Sequence, residues 1–167
     1  MKLAHLGLQV HNTDSKSIEL IEMPSISTNR VINKPVSAFW TSTFLGKEKH
    51  RELSDWNIWA SESGMLKRND FFLTPKDGIR VLEIDSYPDY LDAKKLGASK
   101  NDAIDFGWYA QNGFDGIHVT ERAIMECRCA EFEQSTSSIM LSLWDAESTC
   151  WFHLHWIAEI ASHPKSV

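Results

Sequence analysis

The chain has 167 residues, enough for one compact domain spanning 1–167, and its 43% hydrophobic content supplies a core of the size such a domain needs. A net charge of -6 argues against a large phosphate-binding face, and no window approaches the ~18 consecutive apolar residues that cross a membrane. Three cysteines, an odd number, without a leader-like N-terminal stretch point to reduced thiols and a cytoplasmic location.

Lys2 to Val10 reads as a first strand, with His5 in the middle of an apolar run. Asn12 to Lys34 is polar and broken by Pro24, and is expected to form a long arm over the surface. Val36 to Thr43 is predicted as a strand. Period-2 alternation puts Phe39, Thr41 and Thr43 on one face and Trp40 and Ser42 on the other. The basic cluster Lys47, Lys49, His50 and Arg51 that follows reads as a solvated loop. Ser54 is placed to cap a short helix, with Asp55 in its first turn and Trp56, Trp59 and Ala60 on one face.

Phe71–Thr74 and Ile79–Ile84 are β-like runs separated by the turn sequence Pro75-Lys76-Asp77-Gly78. A helix is predicted from Asp85 or Ser86 through Leu96, closed by Gly97, and another from Asp102 to Asn112 with Gly113 beyond its end. Phe114–Thr120 is a strand entered through Asp115-Gly116. Glu121–Gln134 is ambiguous: Met125, Cys127 and Cys129 alternate, while Glu and Ala favour helix. Ile139–Trp144 and Ser148–Ile157 are the last β-like runs. Strands interrupted by short helices indicate an α+β domain.

Four groups of residues could carry chemistry. Trp40 and Ser42 share a surface on which an indole platform and a hydroxyl suit a planar ligand, although buried aromatics usually only pack. Asp145 and Glu147, two carboxylates at i and i+2 between apolar runs, face one side if extended. Their repulsion would prepare one for acid/base or electrostatic work. His5 would be a buried imidazole that needs a partner, in the core or on a ligand. His153 and His155 point the same way on a strand, and with Asp145 or Glu147 a zinc site can be sketched, but no third ligand is placed. A phosphate-binding Gly-rich loop, a dinucleotide fingerprint and a nucleophile elbow are all missing.

Taken in order, Leu3-Ala4-His5-Leu6-Gly7, Phe39-Trp40-Thr41-Ser42-Thr43 and Glu147-Ser148-Thr149 running into Cys150-Trp151-Phe152 resemble the ADP-ribosyltransferase superfamily. The pattern there is a first-strand His or Arg, an aromatic–Ser/Thr strand, and a Glu opening a late strand. Gly113-Phe114-Asp115-Gly116 also looks like that family's lead into the strand before the last motif. The chain departs from it in carrying Asp145 where many members have Glu or Gln, and Trp40 and Ser42 where His-bearing subclasses have Tyr.

The resemblance implies an α+β fold of two small packed sheets around an NAD cleft, and a mono-ADP-ribosyltransferase of toxin, effector or phage type. By it, His5, Phe39, Trp40, Thr41 and Thr43 contact NAD. Ser42 holds the loop carrying Glu147, Glu147 stabilises the oxocarbenium-like transition state, and Asp145 serves the acceptor. No metal is implied. Acidity favours a protein acceptor over nucleic acid, and no membrane partner is expected. Two alternatives stand beside this: an inactive member of the fold acting as an inhibitor or interaction module through its tryptophans, and a small metal hydrolase built on His153, His155 and Asp145.

Overall fold

A computed structural model describes residues 2–29, 33–48, 51–96, 103–134, 141 and 143–163. The strands among them are β1 (Lys2–Leu3), β2 (Gln9–Thr13), β3 (Ser27–Asn29), β4 (Lys34–Val36), β5 (Phe39–Thr43), β6 (Gly46–Glu48), β7 (Arg51–Leu53), β8 (Asn69–Pro75), β9 (Val81–Ile84), β10 (Gly116–Val119), β11 (Ser148–Trp151) and β12 (Ile157–Ala161). The helices are α1 (Asp55–Glu62), α2 (Tyr87–Leu96), α3 (Phe106–Gln111) and α4 (Glu121–Gln134). The class is α+β, as composition and pattern predict. Among the described residues no helix is long and apolar enough to cross a membrane.

Eight strands form one sheet in the order β1-β9-β10-β11-β5-β2-β8-β12, and β3-β4 and β6-β7 are separate two-stranded ribbons. The expected pair of small sheets is thus one sheet whose two halves meet at β5. The connections require it to curl. β1 and β2 lie five strand spacings apart, roughly 24 Å if flat. The six residue steps from Leu3 to Gln9 reach at most roughly 20–22 Å.

The curl separates two cores. Leu82, Ile84, Ile117, Val119 and Cys150 face buried residues of α2, α3 and α4, while Val81 and Trp151 face inward with Phe71, Leu73, Trp156 and Ile157. Trp151 and Trp156 stack at 3.6 Å between ring centroids. The central strands β10 and β11 are buried at every position. Their approach needs Gly116, because a Cβ there would meet the Cys150 carbonyl oxygen at 2.6 Å.

Several predicted elements are shorter or split. The strand from Lys2 to Val10 breaks after Leu3: Ala4 still bonds to the Val81 carbonyl at 2.9 Å, and the chain then crosses to β2 with His5 exposed. The Val36–Thr43 strand breaks at Ser37, whose φ is 67°. The run Ser148–Ile157 turns after Trp151 so that Trp156 can fold back onto it. Asp105, not Asp102, caps α3, accepting from the Trp108 amide at 2.9 Å. Asp102 and Gly97 lie outside the described residues. So does half of Ile139–Trp144, of which the described Leu141, Leu143 and Trp144 are not in a strand. The ambiguous Glu121–Gln134 is a helix, because Ala123, Ile124, Cys127 and Ala130 form a buried helical stripe.

Candidate functional site

The antiparallel register of β5 and β11 pairs Thr41 with Thr149. Extended by two residues, it sets Glu147 opposite Thr43, where β5 ends. The bend before β11 is fixed by the Ser148 hydroxyl, which donates to the Ala146 carbonyl at 2.8 Å. Glu147 is thereby folded over the strand end and is only 7% exposed. Its Oε2 accepts from the Ser42 hydroxyl at 2.6 Å and the Thr43 amide at 3.0 Å, and its Oε1 from the Thr43 hydroxyl at 2.8 Å. His118 Nδ1 lies 3.4 Å from Oε1. A buried carboxylate needs hydrogen-bond donors around it, and here a Ser-Thr pair supplies them.

Ser42 also ties this centre to α1. Its Oγ accepts from the Trp56 amide at 3.3 Å, in the first turn of the helix. As predicted, Ser54 caps α1, accepting from the Asn57 amide at 3.2 Å. The buried face differs from the predicted one: Asn57 and Ala60 point inward, and Asn57 donates to Asp70 at 2.9 Å. Trp56 and Trp59 pair beside that face at 4.9 Å.

Next to Ser42 opens a cleft of about 350 Å³, lined by His11, Trp40, Trp56, Trp144 and Asp145 among others. Trp40 meets Trp144 edge-on at 5.0 Å. A second hollow of about 610 Å³ shares His11 and runs under the arm from Thr13 to Met23, with Phe39 in its wall. A smaller recess of about 220 Å³ reaches Glu147 itself between α1 and α4, lined by Asp55, Trp59, Glu62, Glu121 and Asp145 with Arg128. Burial first, then the charges of Glu147 and Glu121, raises the Asp55 pKa above the ordinary carboxylate value.

The structure brings Ser42, Thr43, Glu147, Trp40 and Asp145 to one place. Asp145 and Glu147 are not in an extended strand, because the chain bends at Ala146 and Glu147, yet both line the recess between α1 and α4. Asp145 is partly exposed and pairs with Lys34 at 3.6 Å, and Lys34 also lies over the Trp40 ring. Thr41 borders the cleft, but its hydroxyl is committed to the core: it accepts from Trp151 Nε1 at 2.8 Å and donates to Gln9 at 2.7 Å. Phe39 packs on the inner core and stacks on His11 at 4.2 Å.

His5 is not a buried strand histidine. It is exposed on the link from β1 to β2. The histidine in the cleft is His11, which falls between the predicted strand Lys2 to Val10 and the predicted arm Asn12 to Lys34 and was not singled out. His11 Nδ1 donates to the Trp40 carbonyl at 2.8 Å, and burial lowers its pKa from 6.5, so a neutral ring offers Nε2 as an acceptor. A signal was present: Gln9, His11 and Thr13 alternate, as a strand continuing past Val10 would.

His153 binds Asp115, not Asp145, with Nε2 donating to Oδ1 at 2.8 Å. Among the described residues no group of three His, Cys, Asp or Glu side chains could hold a metal. The cysteines are free thiols, and burial pushes Cys127 and Cys150 up to about 12. The side chains of the basic cluster after Gly46 lie outside the described residues. Comparison with family models, with curated proteins and with solved structures finds no match.

Proposed function

We propose that the chain is an NAD-dependent mono-ADP-ribosyltransferase acting on a protein acceptor. The observation that carries this reading is the Glu147 carboxylate, which lines the recess between α1 and α4 and is held by Thr43 and by Ser42, itself a wall residue of the tryptophan-lined cleft. Breaking the bond between ribose and nicotinamide builds positive charge on the sugar. A carboxylate held rigidly beside that charge lowers the barrier without reorganising. Glu147 takes this role, and its Oε1 accepts the ribose 2′-hydroxyl in place of the Thr43 hydroxyl. Ser42 and Thr43 orient Glu147.

Two hollows that both border His11 suit an elongated, two-ended ligand better than a single ring. Trp40 stacks on the nicotinamide, and His11, in the position that the resemblance gave to His5, accepts from a ribose hydroxyl through Nε2. The acidic recess at Glu147 gives the acceptor its own approach. Its charge repels a nucleic-acid backbone and accommodates a protein. Asp145, which borders both the cleft and the recess, positions the acceptor group.

The competing reading is an inactive module, favoured by the burial of Glu147 and by how fully its oxygens are already bonded. Nicotinamide release by wild type and Glu147→Gln separates the two. The transferase reading expects release by wild type and a loss of about 10² or more in turnover for the variant. Equal absence of release in both proteins, with no NAD⁺ binding at millimolar concentration, selects the inactive module.

A further inference from the structure

His118 lies on β10, between Glu83 of β9 and Thr149 of β11 in register, and is 8% exposed. Its Nδ1 is 2.9 Å from Thr149 Oγ1 and 3.4 Å from Glu147 Oε1. The neighbouring hydroxyls determine where the proton sits. Trp151 Nε1 donates to Thr41, and Thr41 and Thr149 both donate to Gln9 Oε1, at 2.7 and 3.3 Å. With the single proton of Thr149 directed to Gln9, its oxygen accepts from His118. A bare Nδ1 lone pair facing a carboxylate oxygen would also be repelled. Nδ1 therefore carries hydrogen in the neutral ring as well as in the charged one.

We infer that His118 is a positioning residue for Glu147, holding the Oε1 edge of the carboxylate through Nδ1–H and silencing it electrostatically when the ring becomes charged. This rests on the transferase reading for its kinetic consequence. The charged groups facing the ring are Glu147 before β11, Glu83 on β9, Asp85 just beyond β9, and Lys2 on β1. Lys2 is itself paired with Glu83 at 2.9 Å. Burial outweighs the three carboxylates and lowers the ring's pKa below 6.5, so the ring is neutral at neutral pH. In acid the imidazolium offsets the charge that Glu147 offers to the ribose, while the Nδ1–H contact remains.

Asparagine places its amide nitrogen where Nδ1 sits; glutamine places it where Nε2 sits. The test is NAD⁺ turnover against pH for wild type, His118→Asn, His118→Gln and His118→Leu, with ring ¹⁵N NMR of the wild-type protein to locate the proton. His118→Asn is expected to keep kcat within about 3-fold and to lose the acid limb governed by this ring. His118→Gln and His118→Leu are expected to lower kcat by about 10-fold or more with KM little changed. Glutamine matching asparagine, or an acid limb that survives in His118→Asn, overturns the inference. The NMR arm does not depend on activity. A neutral ring protonated at Nε2 refutes the Nδ1–H contact whatever the turnover. A ring protonated at Nδ1 in a protein that turns over no NAD⁺ refutes the transferase reading, and with it the kinetic role, while the contact stands.

Discussion

Ser42→Ala probes the centre of the site without creating a cavity. It removes two interactions. The first is the 2.6 Å hydrogen bond to Glu147 Oε2, a bond to a charged group worth about 1.5–3 kcal/mol. The second is the acceptor for the Trp56 amide at 3.3 Å, a long bond at the low end of the usual range, about 0.5–1 kcal/mol. Ser42 is only 1% exposed, so water does not replace the hydroxyl. Thr43 still donates twice to the carboxylate, which limits the damage. The expected destabilisation is about 2–4 kcal/mol, a fall in Tm of roughly 5–15 °C for a chain of this size. Urea denaturation gives the free energy directly. The same measurement on Glu147→Gln and on the double variant closes a cycle. The two changes are expected to be non-additive by at least about 0.5 kcal/mol, because the Ser42 bond depends on the carboxylate charge. A Ser42→Ala protein within about 0.5 kcal/mol of wild type, or strictly additive variants, would refute the description of Glu147 as a carboxylate held by Ser42.

Other outcomes follow from the same geometry. Trp40→Ala is expected to weaken NAD⁺ binding roughly 2- to 12-fold, the equivalent of about 0.5–1.5 kcal/mol of ring stacking, measured by calorimetry. Asp145→Asn is expected to keep NAD⁺ hydrolysis and to lose transfer to the acceptor; loss of hydrolysis instead would move the primary role to Asp145. Burial lowers the pKa of both His11 and His118 from 6.5, so the unfolded chain binds more protons below that value. The stability these rings contribute is present above pH 6.5 and is lost as pH falls through their folded values. Thermal melts between about pH 7.5 and pH 5 are expected to show this loss, and His118→Asn to show less of it.

The α+β class was legible in local pattern, and the meeting of Ser42 with Glu147 was implied only by the family resemblance. β5 carries its hydroxyls at the strand end, Glu147 leads into a strand two residues before Thr149, and one antiparallel register joins them. His11 was hidden because the apolar run Leu3–Leu8 looked like the strand. The backbone leaves the sheet edge there, and the pairing segment begins at Gln9, a buried polar residue. Only tertiary contacts justify burying Gln9: its amide group bonds Gly7, Thr41, Thr43 and Thr149. His118 stands in Ile117-His118-Val119 with the same signature, a lone imidazole in an apolar strand, that drew attention to His5. The cleft itself was not legible beyond Trp40, since Trp56 comes from a helix and Trp144 from a non-strand segment. The bend at Ala146 and Glu147 is one that strand alternation could not register.

The central claim is that Glu147 drives cleavage of NAD⁺ for transfer. It is tested most directly by the intact masses of lysate proteins and of the chain itself after incubation with NAD⁺, for wild type beside Glu147→Gln at matched folded concentration. The account expects an added ADP-ribosyl mass on a protein acceptor with wild type only, accompanied by stoichiometric nicotinamide. Adducts of equal yield with both proteins, or none with wild type although NAD⁺ binds, would contradict it.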